Sequence, residues 1–528
     1  MDRRRFLGLS TFATASLLGT NLISLNSCKK DNEQTTTRRI YKAIVIGSGF
    51  GGSIASLRLS EKGIDTLLIE MGRFYDVTQS MDTFSPTLPP DRRSTWLKTK
   101  SELPFGLNLS WPQKYAGVLN RMRYTNLDIY RNICLGGGSI SNGGVLLEPT
   151  EANYNKYLFP KIPFEELRST YFSRVRQKLK ASKMPDDLFN SSCYKFAQVC
   201  LKHAHKAGFE TIHADSFYNF DIWRKEKEGK IQKSALKGEL LYGNNNGIKN
   251  SLDRNYLADA LGTGTLTIQT LSRVVAITFS TTTNRYQIQV EKINEAGIVQ
   301  ETMEFESEYL FVCAGSVGTS ELLVKARDKG TLPNLGDEVG KYFGGNGNAF
   351  AIRKNIDEPT GEMHSSPPTL SVLDYSNPIS PIAAMQDILP IGLDLRMLLM
   401  VGQAYNEYTG NFKYQEDLDR VTLDWKFGGL QQSKESMTAF IDKMNAANGT
   451  ELDNTLIREG VSSTFTYHPL GGAVLQKASD GYGRLRGYQK LYAIDGSMLP
   501  GTSAMVNPTL LISALAERAL DNIIKNDF

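Results

Sequence analysis

Two kinds of residue in this chain could do chemistry: glycines spaced to cradle a pyrophosphate, and three side chains able to handle a proton or a hydroxyl. Gly47-Ser48-Gly49-Phe50-Gly51-Gly52 places glycine at the first, third and sixth positions. The first permits a tight turn, and the second lets backbone N–H groups reach an anion at a helix N-terminus. Glu70, 18 residues after Gly52, could accept hydrogen bonds from ribose hydroxyls. His468 stands before Pro469 and the pair Gly471-Gly472, which puts it in extended backbone. It is either a structural residue of a glycine-rich turn or a hydrogen-bonding group at a substrate. Asn507-Pro508-Thr509 opens an apolar helical run. Asn as N-cap and Pro at the first helical position suit a helix start, and the same N-terminus could face a negative charge. Asp394 lies among Ile391, Leu393, Met397 and Leu398. Those neighbours would raise its pKa, while pairing with Arg396 or solvation is the plainer reading.

These groups need elements to hold them. Residues 41–46 are a short apolar, β-rich run, a helical spacing follows from Phe50 to a stop at Gly63, and 65–69 form a second strand ending in Glu70. Strand, glycine turn, helix, strand and acid together make the βαβ dinucleotide fingerprint. A second glycine cluster, LGGGSISNGGV at 135–145, follows an irregular segment, 74–130, rich in Pro and aromatic residues. Such a segment reads as a lid or binding loop, and Gly136 to Gly138 would on turn chemistry alone be a β-turn.

The chain has 528 residues, 41% hydrophobic and 22% charged, which suits two or three globular domains and excludes both general disorder and a multi-span membrane protein. Lys and Arg number 60 against 56 Asp and Glu, for a net charge of +4. Residues 1–27 hold three Arg and one Asp, so 57 against 55 leaves +2 without them. That balance gives no electrostatic reason to expect a nucleic-acid partner. Arg3 to Arg5 precede an apolar run from Phe6 to Leu25, the layout of a twin-arginine signal peptide, with an uncleaved anchor as the rival reading. Leu25-Asn26-Ser27-Cys28 resembles a lipobox, with Asn26 unusual in it, and 29–38 read as a polar tether. The expectation is a bacterial protein exported to the periplasm or outer membrane, held to a membrane through lipidated Cys28. Cys193 and Cys200 fall in helical sequence and would lie roughly 10 Å apart, too far for a disulfide. Cys134 and Cys313 sit in apolar segments as small buried hydrophobes.

The fingerprint, LGGGSISNGG, and the C-terminal TYHPLGG and YAIDGSMLPGTSAMVNPTLLISALAERA together resemble the glucose-methanol-choline (GMC) oxidoreductases. Among these the flavoprotein cholesterol oxidases are the most similar group. GNNNGIKNSLDRNYL at 243–257, LTIQTLSRVVAI at 266–277, EYLFVCAGSVGTSELL at 308–323 and VGKYFGGNGNAF at 339–350 carry the same likeness.

The resemblance implies an α/β FAD-binding domain of Rossmann type and an α+β substrate domain whose large mixed or antiparallel sheet, of six strands, roofs a buried cavity. The FAD domain would comprise 39–150, 250–345 and 464–528, and the substrate domain 151–249 and 346–463, after a signal peptide at 1–27 and a lipidated tether at 28–38. Phe50, Gly51 and Glu70 would contact the ADP half of FAD, Val274 its adenine through the backbone, and Gly47, Gly49 and Gly52 would bind the cofactor through the glycine turn. Gly138, Asn142, Gly143 and Val145 would lie along the flavin. Asp495 and Gly496 would hold the ribityl-pyrophosphate region, and Thr509 begins the helix aimed at flavin N1/O2. No metal site is expected. His203, His205, His213, His364 and His468 are the five histidines, and none is near 131–145, so FAD would be noncovalent. His203 and His205 fall in a Lys-containing helix and would be solvated.

The activity implied is oxidation of a secondary alcohol, a 3β-hydroxysterol or similar bulky apolar alcohol, with oxygen reduced to peroxide. His468 and Asn507 would meet the substrate hydroxyl. Asp394 would stand where sterol oxidases carry a cavity glutamate that moves a double bond from C5–C6 to C4–C5. Met385, Met397, Met400 and Met437 could line the cavity or belong to the core. The alternatives are a GMC dehydrogenase that passes electrons from an alcohol or sugar to another acceptor, and a non-redox flavin-containing isomerase or binding protein.

Overall fold

The computed structural model describes residues 39–77, 82–102, 109–450 and 464–528. The signal-peptide, lipobox and tether expectations lie outside these residues. Among the described residues, no helix is long and apolar enough to cross a membrane.

The glycine fingerprint sits on a seven-stranded sheet. Its order is Ser272–Ser280, Arg285–Ile293, Val299–Val312, Arg39–Ile46, Thr66–Ile69 and Leu266–Gln269, with Leu491–Ala493 also paired to Val299–Val312. Arg39–Ile46 runs parallel to both its neighbours. Buried on both faces, such strands need near-continuous apolar runs, and the sequence KAIVI supplies one. Ala43 and Val45 pack with Ile54, Leu57, Leu510 and Ala514 of the helices Phe50–Glu61 and Thr509–Asp527. Ile44 and Ile46 face the other way, onto Val317, Leu323 and Val324 of the helix Gly315–Asp328.

A second sheet, antiparallel throughout, has five strands in the order Asn348–Arg353, Leu398–Ala404, Ile382–Asp387, Leu370–Asp374 and Glu210–His213. The resemblance implied six, and the described residues supply five. Ala349, Ala351, Ala384, Leu398 and Met400 point to a core shared with the helices Lys195–Lys206 and Gln431–Ala447. Side chains alternate along a strand, so Phe350, Met385, Asp387, Val401 and Gln403 emerge on the opposite face. That face is a wall of the cavity described below.

The segment 74–130 is less irregular than its sequence suggests. It contains most of a hairpin, Leu119–Tyr124 with Leu127–Asn132, whose second strand pairs with Phe465–Thr466. Charged residues in LNRMRY and LDIYRN blur the two-residue alternation by which a strand is read.

Candidate active site

The two glycine clusters meet. A Cβ on Gly137, whose φ is +51°, would stand 2.9 Å from Gly49 Cα, so no side chain fits between the two turns. Gly49 and Gly138, by contrast, look onto open space, and both line a cavity of about 1060 Å³. Gly47, Phe50, Gly51, Glu70, Asn142, Gly143, Val145, Val274, Asp495, Gly496 and Thr509 line it too. Gly52 does not. A Cβ there would approach Gly47 O to 1.9 Å, so this glycine serves the close packing of helix on turn rather than touching a ligand.

Two buried carboxylates shape the polar end of the cavity. Glu70 accepts from Ser48 N–H (3.0 Å), Ser48 Oγ (2.6 Å) and Gly72 N–H (2.7 Å). Asp495 accepts from Gly315 N–H (2.9 Å), Thr319 Oγ1 (2.5 Å) and Ser497 N–H (2.8 Å). Burial pushes both pKa values up, against these hydrogen bonds. The open glycine turns, Glu70 at the end of the second strand and the start of the helix Thr509–Asp527 form an elongated cradle with the donor and acceptor set that an FAD needs.

The far end of the cavity is apolar, walled by Leu240, Leu241, Phe350, Val401 and Tyr467. His468 stands beside it on the cavity wall, half-buried, and desolvation of the ring there pulls its pKa down to about 4 and keeps it neutral. Its Nδ1 lies 3.0 Å from Asn348 Nδ2. The orientation of that amide follows from its other contacts: Asn348 Oδ1 receives Tyr467 N–H (3.1 Å) and Thr466 Oγ1 (2.9 Å). A backbone N–H can only donate, so the amide presents its NH₂ to His468. Nδ1 is therefore an acceptor, and the ring's proton sits on Nε2.

Asn507 is not an N-cap. The helix begins at Thr509, Pro508 occupies the cap position, and no side chain bonds the first turn. Asn507 lines the cavity instead, and its Oδ1 is buried without a hydrogen-bond partner within the protein. An orphaned buried acceptor costs stability unless a bound group satisfies it, which marks Asn507 as a ligand-facing residue.

Asp394 stands outside the cavity. It follows the strand Ile382–Asp387 on a surface loop, where its Oδ1 accepts from Thr360 N–H (3.2 Å), Thr360 Oγ1 (2.9 Å) and Arg396 N–H (3.0 Å). Those donors hold its pKa below the ordinary value, the reverse of a buried base. The carboxylate on the apolar wall is Asp387, two residues after Met385 on the same strand face. Burial raises its pKa to about 6, and Ile388 N–H (2.8 Å) is the donor that opposes the rise. Of the four methionines, Met385 lines the cavity while Met400 and Met437 are core. His203 is buried rather than solvated, between Glu358 (3.2 Å) and Arg353 (3.1 Å).

Lys249 carries no signal in the sequence beyond being one of two cations, with Arg254, in the run GNNNGIKNSLDRNYL. It is fully buried, and its Nζ donates to the carbonyl oxygens of Ile140 (3.1 Å) and Asn142 (2.5 Å). Burial alone pulls its pKa down to about 7. A trans peptide sets C=O and N–H on opposite edges, so fixing the Asn142 carbonyl turns the Gly143 N–H away from Lys249. Gly143 is on the cavity wall.

The GMC oxidoreductase family model matches residues 41–327, and the model of the GMC oxidoreductase C-terminal region matches 346–458. A cholesterol oxidase of Acinetobacter baumannii is 24% identical over 556 aligned residues, covering 92% of this chain and 94% of that protein. A cholesterol oxidase of Mycobacterium tuberculosis is 24% identical over 567, covering 91% and 90%. In fold, the chain resembles a pyridoxine 4-oxidase from Mesorbium loti (TM-score 0.62, 14% identity, 92% and 99% covered). It resembles a fungal aryl-alcohol oxidase equally (TM-score 0.62, 12% identity, 92% and 99% covered).

Proposed function

This chain belongs to the GMC oxidoreductase family of FAD-dependent enzymes, and we propose that it oxidises a 3β-hydroxysterol or a similarly bulky apolar secondary alcohol. The carrying observation is one cavity that joins a dinucleotide cradle to an apolar chamber, with His468, Asn507 and Asp387 on its wall. FAD, bound noncovalently, would supply the acceptor for the carbinol hydrogen, which leaves as hydride. Glu70, Gly49, Gly138, Asn142, Val274, Asp495 and the start of the C-terminal helix would hold it. The neutral His468 presents Nε2–H to the substrate oxygen, and Asn507 Oδ1 accepts from its hydroxyl, whose proton passes to solvent as the hydride leaves. Together they fix the carbinol carbon, a positioning role.

Asp387, not Asp394, is the base of this proposal. With a pKa near 6 it is ionised at neutral pH yet holds a proton readily. On a 5-en-3-one it would take a proton from C4 and return it to C6, moving the double bond to C4–C5. The reading with oxygen as electron acceptor draws support from the oxidases that the chain resembles. Oxygen uptake with stoichiometric peroxide on adding the sterol tests it; turnover only with an artificial dye acceptor would turn the reading to a dehydrogenase.

Export by a twin-arginine signal and lipidation at Cys28 are part of the same proposal. Cys28→Ser should move the protein from the membrane to the soluble fraction. A serine variant that stays membrane-bound and uncleaved would make 6–25 an anchor.

A further inference from the structure

Arg131 stands on the strand Leu127–Asn132, half-buried, with its side chain on the cavity wall. Its guanidinium forms no hydrogen bond or ion pair among the described residues, and its Nε is buried without a partner. Arg123, Arg273 and Lys325 line the same cavity but pair with Glu102, Glu291 and Asp419. A guanidinium only donates and stays charged, so a buried Nε–H with no acceptor costs stability until a ligand supplies one.

The surroundings of Arg131 select the ligand. A Cβ on Gly47 would stand 2.4 Å from Cys313 O and 2.9 Å from Ala314 Cα, so the first glycine turn packs directly on the residues that lead into the helix Gly315–Asp328. One turn further on, a Cβ on Gly318 would stand 3.0 Å from Ala314 Cβ and 3.4 Å from Arg131 Nη1. The guanidinium therefore reaches the start of this helix from the side opposite the strand end, with the glycine turn as its near neighbour. Gly49 in that turn is open to the cavity and caps the helix Phe50–Glu61, whose first N–H groups and dipole favour an anion. Two carboxylates are near enough to feel Arg131. Burial raises the pKa values of Glu70 and Glu321, and the charge of Arg131 opposes the rise. Arg131 bonds neither. Glu70 has its three donors already, and Glu321 accepts from Tyr124 Oη (3.2 Å).

We propose that Arg131 binds a non-bridging oxygen of the FAD pyrophosphate, as the side-chain partner of the backbone N–H groups in the glycine turn. The pyrophosphate is the charged part of this dinucleotide, and a guanidinium bonds phosphate oxygens more strongly than the neutral acceptors of flavin, ribose or adenine. Gly318 leaves the room in which the guanidinium lies. The assignment rests on the FAD reading above.

Release of FAD from the holoprotein, followed by the rise in flavin fluorescence with no substrate present, tests it. Arg131→Met keeps the length and loses the charge, and should release FAD about tenfold or more faster, the effect of one charge-assisted hydrogen bond. Arg131→Lys restores a point charge without the planar fork and should fall between. Added salt should speed release from the unmodified protein, and this dependence should be shallower in Arg131→Met. Far-UV circular dichroism should stay constant while the flavin leaves, which separates loss of cofactor from unfolding. Equal release rates overturn the assignment. Faster release with an unaltered salt dependence overturns it too, by placing Arg131 against an uncharged part of the cofactor. So does a loss of circular dichroism ahead of the flavin in both variants, which would make the guanidinium a support of the fold. A purified protein without flavin sinks the FAD reading and this assignment with it. Release that follows the expected pattern from a flavin that no sterol bleaches sinks the substrate reading alone.

Discussion

His468 Nδ1 lies 3.0 Å from Asn348 Nδ2, and the backbone N–H of Tyr467 fixes which end of that amide the histidine sees. A neutral histidine held as the Nε2–H tautomer is a donor to the substrate oxygen, not a base waiting for its proton. His468→Ala should therefore slow flavin reduction by about 10²–10⁴-fold, the usual cost of one positioned group. Asn348→Asp should set a carboxylate against Nδ1, draw the proton there and raise the ring's pKa from about 4 toward the ordinary range. Flavin reduction measured against pH should then gain a limb that the unmodified protein lacks. An unchanged profile would remove the tautomer argument.

The division of labour between the two aspartates is read from products. Asp387→Asn should leave the sterol oxidised but largely unisomerised, so the 5-en-3-one accumulates and ultraviolet absorbance of the conjugated enone is missing. Asp394→Asn should leave the product ratio unchanged, because its carboxylate faces Thr360 and the loop. The reverse pattern would restore Asp394 as the base.

The same carboxylate makes a stability prediction. Folding raises the Asp387 pKa to about 6 from an unfolded value near 3.9. The folded state then binds more protons than the unfolded state between those values, so stability falls as pH climbs through that window. Asp387→Asn escapes this loss. Its melting temperature should exceed that of the unmodified protein at pH 8, with the gap shrinking toward pH 5. A gap of the same size at both pH values would show that the carboxylate is not buried.

Much of this was legible in the chain. The βαβ fingerprint is local, so Gly47 to Glu70 declare their fold within one window, and the two glycine clusters announce a second close approach. His468 and Asn507 stand out because each sits beside a proline that fixes its backbone. Asp387 and Lys249 were not legible for a different reason. Which aspartate reaches the cavity depends on where the strand Ile382–Asp387 ends and on its two-residue alternation, and a shift of one residue reverses the face. Lys249 acts through carbonyls more than a hundred residues away, a relationship with no local signature.

Lys249 predicts a titration of opposite sign. Burial lowers its pKa to about 7, so between pH 7 and its unfolded value the unfolded state holds the extra proton and stability rises with pH. Lys249→Met should flatten that rise in thermal melts taken across the window. It should also slow flavin reduction, since the Asn142 carbonyl loses its anchor and the Gly143 N–H its direction. An identical pH dependence with and without Lys249 would contradict the burial of an unpaired ammonium.

Noncovalent FAD is checked on the protein itself. Acid or heat precipitation should leave a yellow supernatant, because no histidine reaches the second glycine cluster; the described one on the cavity wall, His468, is engaged by Asn348. Flavin that stays with the precipitate would show a covalent tether.

The central claim is that the apolar chamber delivers a secondary alcohol to a flavin held in the glycine cradle. Anaerobic mixing of the purified protein with a 3β-hydroxysterol in detergent, followed by flavin absorbance, tests it in one experiment. Complete bleaching of the oxidised flavin band is expected, slowed by about 10²-fold or more in His468→Ala. Flavin that stays oxidised with the sterol but bleaches with a small polar alcohol would contradict it.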